Sequence, residues 1–347
     1  MSRNALAIVS SLLFAALAAL LVLLPVPYVA WRPGQTIDVL GATDKGPVID
    51  VTGLPTYETN GRLLMTTVST TSVDATLSLP EAIFVYLDPT SDAMPREVIY
   101  PPGKSSGQVE SEAVAMMDSS RNNATVAALR AGGVKVTELP LVQSVVLSGP
   151  SADKLQPGDL ITAVDGQPVT KIEEIGAQIS THAVGDPVVF SVLRDGKQLR
   201  VSVSTVSSNT RSSQPVVGIN LEVGFRFDPI VAFNIDAGVT GPSAGLIFAL
   251  GLYDRITEGA LTQDRVVAGT GTINPTGVVG RIGAIREKIR GAERDGAQVF
   301  LAPEGNCADI GEIDADLTIV KVSTLKDAIS ALQLINEGNL AEVPTCG

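Results

Sequence analysis

The chain has 347 residues, a net charge of -12 and few aromatic residues (4%), whereas 45% of its residues are hydrophobic. This length is enough for two domains with separate cores, and the scarcity of aromatic residues predicts cores of Val, Ile, Leu and Ala. The acidic balance argues against general nucleic-acid binding, because that requires a basic face.

The N-terminal segment is the clearest topological feature. Residues 5–31 carry no charged side chain, and this stretch exceeds the roughly 20 residues that a helix needs to cross a bilayer. A cleavable signal peptide is the competing interpretation. Its best cleavage site would end at Ala30, but Tyr28 stands at the minus-three position, where a small residue is expected. We therefore expect residues 1–32 to form a cytoplasmic stub and an uncleaved transmembrane anchor, with the bulk of the chain outside the cytoplasm.

Residues 33–120 read as loops, short strands and a connection rich in proline. Residues 61–70 are a strand candidate because they are rich in β-branched side chains. Residues 107–131 are compatible with a helix that ends at Gly132 and Gly133.

The stretch "PPGKSSG" (101–107) resembles the end of a phosphate-binding loop. The glycine required five positions before Gly103 is Val98, and no strand–loop–helix pattern surrounds the stretch. We therefore expect no nucleotide site there.

Residues 121–207 alternate short β-runs with turns at dipeptides such as Asp195–Gly196, and contain one clear helix at 170–182. The segment "VVFSVLRDGKQLRVSV" predicts a hairpin. This pattern predicts a small β-rich domain with an exposed edge, suited to binding an extended peptide by strand addition.

The composition changes again in residues 208–347, where strands and helices alternate as in an α/β domain. The glycine-rich stretch "DAGVTGPSAG" (236–245) precedes a helical run. Ser243 is there either an N-cap or a nucleophile. The helix start offers N–H groups that favour an oxyanion, and Gly241, Pro242 and Ala244 form the turn around the serine. The chain has one histidine, His182, far away in sequence.

A lysine offers an alternative base. On a wheel of 100° per residue, Ile285, Ile289 and Ala292 form the buried face of a predicted helix. Lys288 lies about 60° from Ile285 and about 40° from Ala292, whereas Glu287 points away. Lys288 is thus expected to be the one charged residue of this segment that faces the interior. A snorkelling lysine would show the same pattern, but a buried lysine with a lowered pKa can also accept a serine proton.

The two cysteines, Cys307 and Cys346, lie close to the C-terminus. In an extracytoplasmic domain they could form a disulfide that ties down the tail, and two free thiols are the alternative. Neither fits a zinc pattern. We expect no metal and no cofactor.

The stretch "TGPSAG" (240–245), together with "GRIGAIREKIRGAERDGAQVFLAPEGN" (280–306), resembles the proteolytic domain of Lon proteases. The resemblance implies that Ser243 is the nucleophile, that Lys288 is its base, and that Thr270 supports the lysine through a hydrogen bond. Two positions depart from the family pattern: Thr240 stands where an acidic residue is usual, and Ala284 replaces the second glycine of a Gly-Gly pair.

The stretch "LQPGDLITAVDGQPV" (155–169) resembles PDZ domains of the kind found with bacterial proteases. In such domains an early strand pairs with the bound peptide, and a loop before it holds the terminal carboxylate. The resemblance places these elements at 138–146, with Leu141, Val142 and Gln143 as candidate peptide-binding residues.

Together these features resemble the bacterial membrane-anchored Lon-like proteases with a Ser-Lys dyad and a PDZ domain. The implied fold is an α/β (α+β) Lon-type proteolytic domain with an inserted small β-rich PDZ-like domain, behind an N-terminal transmembrane helix. The expected bounds are 1–32 for stub and anchor, 33–120 for a region packing with the protease domain, 121–207 for the PDZ-like domain and 208–347 for the proteolytic domain.

The implied activity is that of a serine endopeptidase of the bacterial cell membrane. Because no Walker motif occurs, we expect ATP-independent cleavage of unfolded or flexible proteins selected through the PDZ-like domain. The resemblance also implies a homo-oligomer, a hexameric ring. The alternative is a membrane-tethered PDZ scaffold or adaptor with a silent peptidase domain.

Overall fold

The computed structural model describes residues 3–44, 46–208 and 214–346. Its helices are α1 Arg3–Leu23, α2 Leu79–Leu87, α3 Arg96–Ile99, α4 Ser106–Ala131, α5 Ile172–Ile179, α6 Gly245–Ile256, α7 Ile285–Arg294, α8 Cys307–Ile310 and α9 Leu325–Asn336. Its strands are β1 Pro25–Val26, β2 Tyr28–Asp38, β3 Ala42–Thr43, β4 Gly46–Pro47, β5 Ile49–Thr52, β6 Arg62–Thr70, β7 Leu77–Ser78, β8 Asp92–Pro95, β9 Thr137–Val145, β10 Leu160–Val164, β11 Gln167–Pro168, β12 Pro187–Arg194, β13 Lys197–Ser204, β14 Val206–Ser207, β15 Pro215–Val216, β16 Ile219–Arg226, β17 Ile230–Phe233, β18 Val266–Gly269, β19 Thr272–Ile273, β20 Val279–Gly280, β21 Val299–Pro303 and β22 Thr318–Val322.

The N-terminal helix α1 contains a candidate membrane span. Residues 4–23 have a mean hydropathy of 2.8, and none of the span is buried within the protein. A signal sequence would have the same length and composition. Residues 1 and 2, which belong to the expected cytoplasmic stub, lie outside the described residues.

The contacts divide the chain into two compact units. The first unit comprises Met1–Gly133 and Pro229–Gly347, and the second unit, Val134–Asp228, interrupts it in sequence. The second unit starts later than the expected bound at 121, because α4 packs against α6 of the first unit. It also ends later than 207, because β16 pairs with β9.

A mixed sheet organises the first unit, with strand order β22-β21-β18-β6-β2-β8. The pairs β22–β21, β21–β18 and β18–β6 are parallel, while β2 runs antiparallel to β6 and β8. Buried residues cover both faces of β6, because successive side chains of a strand point to opposite faces. Leu63 and Met65 pack in the core that contains α6, and Leu64 packs in the core that contains Ile285 and Ile289 of α7.

The helix α4 begins at Ser106, within the stretch "PPGKSSG" that resembles the end of a phosphate-binding loop. Ser105 caps it, and Gln108 completes a capping box by accepting a hydrogen bond from the backbone N–H of Ser105. Ser105 of "PPGKSSG" therefore has a local structural role. Its side chain accepts a hydrogen bond from an N–H group that the first turn of α4 leaves free. The buried face of α4 packs on α6.

A disulfide joins Cys307, the first residue of α8, to Cys346. The backbone N–H of Cys346 also donates to the carbonyl of Ile319, and that of Lys321 donates to the carbonyl of Pro344. The C-terminal tail is thus fixed along β22 by the disulfide and by backbone hydrogen bonds.

The second unit contains a sheet with strand order β13-β12-β10-β9-β16, with β11 paired to β10. Its β12–β13 hairpin turns at Asp195 and Gly196, whose φ angles are 48° and 74°. Positive φ at both turn residues is the conformation for which Asp-Gly pairs are favoured. Ile175 and Ile179 of α5 join the apolar core of this sheet.

An ion pair with a buried carboxylate joins Asp159 and Arg194 in the second unit. The Arg194 guanidinium donates from Nε to Oδ1 of Asp159 at 2.6 Å and from Nη2 to Oδ2 at 2.7 Å. The Asp159 side chain is fully buried. Removing one partner of such a pair leaves an uncompensated polar group, which costs more than the pair itself contributes.

We predict that Asp159→Ala destabilises the second unit by about 2 kcal/mol, since it removes a buried carboxylate that accepts from the Arg194 guanidinium and from the N–H of Gln156. Hydrogen exchange of the amides of residues 134–228 measures this change. The matched control is Glu112→Ala, which removes the exposed partner of Lys104 and should change stability by no more than about 0.5 kcal/mol. Equal protection in the two variants would contradict the prediction.

Candidate active site

Ser243 lies in the 3-10 turn Pro242–Ala244, directly before α6. Gly241 precedes the turn with a φ of 93°, which L side chains rarely adopt. The cap residues are Gly241 for the turn and Ala244 for α6, and neither forms a side-chain capping bond. The interpretation of Ser243 as an N-cap is therefore wrong, because Ser243 lies within the 3-10 turn and its hydroxyl contacts the amine of Lys288.

The turn is fixed by hydrogen bonds from two directions. The carbonyl oxygen of Ser243 accepts from the N–H of Gly271 at 2.8 Å and from the hydroxyl of Thr270 at 2.9 Å. On the other side, the N–H of Gly241 donates to the carbonyl of Ala113 in α4. These contacts fix the backbone from which the serine side chain projects.

Lys288 approaches this serine from α7. Its Nζ lies 3.0 Å from Oγ of Ser243 and donates to the carbonyl oxygen of Thr66 at 2.9 Å. Lys288 is only 4% exposed, so the expectation that it faces the interior is confirmed. Thr66 lies in the middle of β6, which places the amine against the central sheet.

Burial changes the chemistry of this amine. Because the charged form loses its hydration, desolvation lowers the pKa of Lys288 to about 8 from an ordinary value of 10.5. With this pKa, roughly one tenth of the amine is uncharged at pH 7 and roughly nine tenths at pH 9. An uncharged amine 3.0 Å from a hydroxyl can accept its proton.

The structure corrects the expected contact of Thr270. Its hydroxyl donates to the backbone carbonyl of Ser243 rather than to the lysine. The reason is geometric: Thr270 directly follows β18, where it faces the backbone of the turn, while the amine of Lys288 reaches the carbonyl of Thr66. The Thr270 hydroxyl therefore supports the backbone of Ser243 and not the amine of Lys288.

Glu287 also departs from the expected helix orientation. It is 1% exposed, because α7 packs against β2 as well as β6, so Lys288 is not the only inward-facing charged residue of the helix. Neither carboxyl oxygen of Glu287 has a hydrogen-bond partner among the described residues. The pKa of Glu287 is raised to about 7, mainly because burial removes the hydration of its carboxylate and to a smaller extent because the carboxylate of Asp92 is near.

A cleft of about 1230 Å³ opens onto the serine and the lysine. Its walls come from both sequence segments of the first unit. They include Trp31, Thr66, Thr70, Ser72, Val73, Asp74, Tyr100, Val109, Ala113, Val239, Thr240, Gly241, Pro242, Ser243, Ala244, Thr272, Ile282, Ala284 and Lys288. Thr240, which stands where the Lon pattern has an acidic residue, is exposed on this wall. Among the described residues, no group of His, Cys, Asp or Glu side chains is arranged to bind a metal ion.

Thr66 was not singled out from the sequence. The β-branched side chains of residues 61–70 predict the strand that contains it, but no local motif marks a residue that acts through its backbone carbonyl. Trp31 is the last residue of the uncharged N-terminal segment, which gives no sign of a role in the site. In the structure its ring lies against Gly283 in the cleft wall.

The expected peptide-binding strand needs correction. β9 contains Leu141, Val142 and Gln143, and it lies between β10 and β16. The N–H of Val142 donates to the carbonyl of Asp159, and its carbonyl accepts from the N–H of Gly158. The backbone of β9 is therefore already paired on both sides and cannot add a peptide strand. In the described sheet the outer strands are β13 and β16, and α5 contacts β16.

Two family models match the chain. Residues 120–205 match the PDZ domain, and residues 196–334 match the Lon protease (S16) C-terminal proteolytic domain. The chain thus carries a PDZ domain and a Lon proteolytic domain, and these matches support a serine peptidase. Residues 62–70 lie outside both matches, although they supply the carbonyl that holds Lys288.

Curated relatives are Lon proteases. Lon protease 1 of Herpetosiphon aurantiacus is 31% identical over 153 residues, which are 43% of this chain and 18% of that protein. Lon protease of Chloroflexus aurantiacus is 32% identical over 142 residues, 39% of this chain and 17% of that protein. Lon protease 1 of Bacillus subtilis is 30% identical over 141 residues, 39% of this chain and 18% of that protein. The chain thus spans less than one fifth of the length of these relatives.

Among solved structures, the chain is similar to the PDZ domain of the SdrC-like protein from Listeria monocytogenes. The identity is 30%, and the match covers 24% of this chain and 85% of that chain with a TM-score of 0.22. The PDZ domain of the SdrC-like protein from Listeria innocua is also 30% identical, covering 24% of this chain and 92% of that chain with a TM-score of 0.23.

The buried Glu287 predicts a pH-dependent stability. Its pKa is higher in the folded state, about 7, than in the unfolded state, so the folded protein binds more protons between the two values. Stability therefore falls as pH rises from about 4.5 to about 7. Glu287→Gln removes this loss, and we predict that the variant exceeds the parent protein in stability at pH 8 by on the order of 3 kcal/mol.

Denaturant unfolding at pH 5 and pH 8 measures this difference. The exposed Glu312 provides the control Glu312→Gln, which should follow the parent protein at both values. If Glu287→Gln shows the same pH dependence as the control, the carboxyl is not protonated in the folded state.

Proposed function

We propose that the protein is a serine endopeptidase in which Ser243 is the nucleophile and Lys288 the general base. The observation that carries this proposal is the 3.0 Å contact between Lys288 Nζ and Ser243 Oγ, made by a buried amine on the wall of a cleft. The Lon proteolytic domain match covers both residues. The proposed dyad replaces the histidine of the usual triad by a desolvated lysine.

In the first step the uncharged Lys288 amine takes the proton of the Ser243 hydroxyl while Oγ attacks the carbonyl carbon of the scissile peptide bond. The resulting oxyanion lies at the turn before α6, where backbone N–H groups and the positive end of the helix dipole stabilise negative charge. The lysine then gives its proton to the leaving amine, and an acyl-enzyme ester forms on Ser243. In the second half Lys288 accepts a proton from water while the water oxygen attacks the ester carbonyl carbon. The bond to Ser243 Oγ then breaks, Lys288 returns the proton to Oγ, and the acid is released.

Thr66, Thr270 and the N–H of Gly271 have positioning roles in this scheme. The Thr66 carbonyl accepts one amine hydrogen, which leaves the nitrogen lone pair for the serine proton. Thr270 and Gly271 hold the Ser243 carbonyl and so fix the main chain from which the nucleophile projects.

The membrane assignment is part of the same proposal. α1 anchors the protein in the bacterial cell membrane, and the rest of the chain lies outside the cytoplasm. Two observations support it: a 20-residue candidate span at the N-terminus, and a disulfide between Cys307 and Cys346, since disulfides persist in oxidising compartments. A hexameric ring, implied by the resemblance to Lon proteases, stays a prediction.

Substrates are proposed to be unfolded or flexible proteins that are cleaved without ATP. The PDZ domain would present an extended segment, and a peptide that adds a strand to the second unit would pair with β16, beside α5. Cleavage of an unfolded protein at an equal rate with and without magnesium-ATP is the expected result.

We predict that Ser243→Ala and Lys288→Met each reduce cleavage of an unfolded protein by at least about 10³-fold, because either change removes one half of the dyad. A fluorophosphonate probe should label the parent protein and neither variant. The matched controls are Ser111→Ala and Lys326→Met, at exposed positions outside the cleft lining, and they should retain parent activity. Cleavage that survives in Lys288→Met contradicts the assigned base.

The pH dependence follows from the same amine. Because burial lowers the pKa of Lys288 to about 8, its uncharged fraction rises from roughly one tenth at pH 7 to roughly nine tenths at pH 9. We predict that kcat/KM for a peptide substrate rises about tenfold over this range and then levels off. A flat profile from pH 7 to pH 9 would show that no group with this pKa controls the reaction.

A further inference from the structure

A group of exposed apolar side chains lies on α2, in the first unit. The helix has the sequence "LPEAIFVYL", and Ile83, Phe84, Tyr86 and Leu87 are all exposed, Phe84 to 68% and Tyr86 to 78%. We call these four residues the α2 patch. Only Val85 of the helix is fully covered, in a small apolar cluster with Ala30 and Leu77. Four adjacent exposed apolar side chains on one short helix indicate an interaction surface.

Charge is absent from the α2 patch. Glu81 is the only charged residue of α2, and its carboxylate accepts hydrogen bonds from the N–H and hydroxyl of Ser78 in the capping box. It therefore belongs to the helix start and leaves the C-terminal half of α2 apolar. An aromatic hydroxyl on an otherwise apolar surface, as Tyr86 supplies, is typical of residues at the headgroup level of a membrane.

The patch is tied to the end of α1. The N–H of Leu79, the first residue of α2, donates to the carbonyl of Leu24 at 3.2 Å. Next to this bond, Pro25 and Val26 pair with Ser78 and Leu77, and the two helices are in contact. The start of α2 therefore lies beside the end of α1 and is held there by backbone hydrogen bonds.

We propose that the α2 patch inserts into the lipid interface of the bilayer that α1 crosses. The inference rests on the proposed membrane anchoring and adds a second contact site to it. The occupant is the bilayer because the patch continues the apolar surface of α1 and lies at the level of the chain's exit from the membrane. An interfacial helix of this kind buries its apolar face at the boundary between headgroups and acyl chains.

The insertion would place the cleft next to the membrane. Asp74 lines the cleft and lies three residues before Leu77, at most about 10 Å of extended chain. Arg96 fixes this connection by donating to the carbonyls of Val73 and Ala75. Substrate segments that emerge from the same bilayer would then reach the cleft without a long unfolded stretch.

The test uses the full chain in phosphatidylcholine vesicles with a minor share of phosphatidylglycerol. Because both native cysteines are paired, Phe84→Cys provides one thiol for a nitroxide label at an exposed position. Leu340→Cys, exposed in the same unit, is the water-facing control, and Leu13→Cys in α1 is the lipid-facing control. Power saturation with oxygen and with a water-soluble nickel chelate reports which phase each label occupies.

We expect the label at Phe84 to lose access to the nickel chelate and to gain access to oxygen, as at Leu13 and opposite to Leu340. Nickel access at Phe84 equal to that at Leu340, with Leu13 in lipid, would overturn the insertion and leave the anchor intact. Nickel access at Leu13 would overturn the anchor and the insertion together. A label at Phe84 shielded from both reagents, with spin–spin broadening that depends on protein density, would identify a second copy of the chain and overturn the lipid contact.

Discussion

The arrangement of the site depends on the burial of one amine. Lys288 is 4% exposed, and a lysine ammonium in such surroundings is disfavoured because it loses most of its hydration. The protein compensates with two polar atoms, the hydroxyl of Ser243 and the carbonyl of Thr66. A hydroxyl and a carbonyl satisfy an uncharged amine more fully than an ammonium, since neither brings a negative charge. The same contacts that make the lysine tolerable inside the protein therefore favour its basic form.

Burying this amine requires residues from both sequence segments of the first unit. Ser243 and Lys288 come from residues after the second unit, whereas Thr66 and the helix α4 come from residues before it. The sheet order places β6, from the early segment, directly beside β18, from the late one. Neither segment contains the whole site, so the site exists only when both have folded into one sheet.

The sequence was informative where chemistry and helix periodicity coincide. The spacing of Ile285, Lys288 and Ala292 predicted an inward lysine, and the glycine-rich turn predicted a helix start at Ser243; the structure brings the two residues within hydrogen-bond distance. Helix periodicity wrongly predicted an outward orientation for Glu287. A helical wheel assumes one buried face, whereas α7 packs against β2 as well as β6. Backbone contacts could not be predicted from the sequence either. The Thr66 carbonyl reaches Lys288, and the Thr270 hydroxyl reaches the Ser243 carbonyl, because of strand pairing that no local motif encodes. The same limit applies to β9, whose pairing with β16 depends on a strand about 80 residues later.

The proposed chemistry requires that the Lys288 amine titrate near pH 8, so that roughly one tenth of it is uncharged at pH 7 and roughly nine tenths at pH 9. Carbon-13 NMR of protein labelled at the lysine ε-carbon measures this most directly, with the Lys288 signal identified by its loss in Lys288→Met. We predict a titration midpoint near pH 8, well below that of exposed lysines. A midpoint near 10.5 would mean that the amine stays protonated next to Ser243, and would contradict its role as the base.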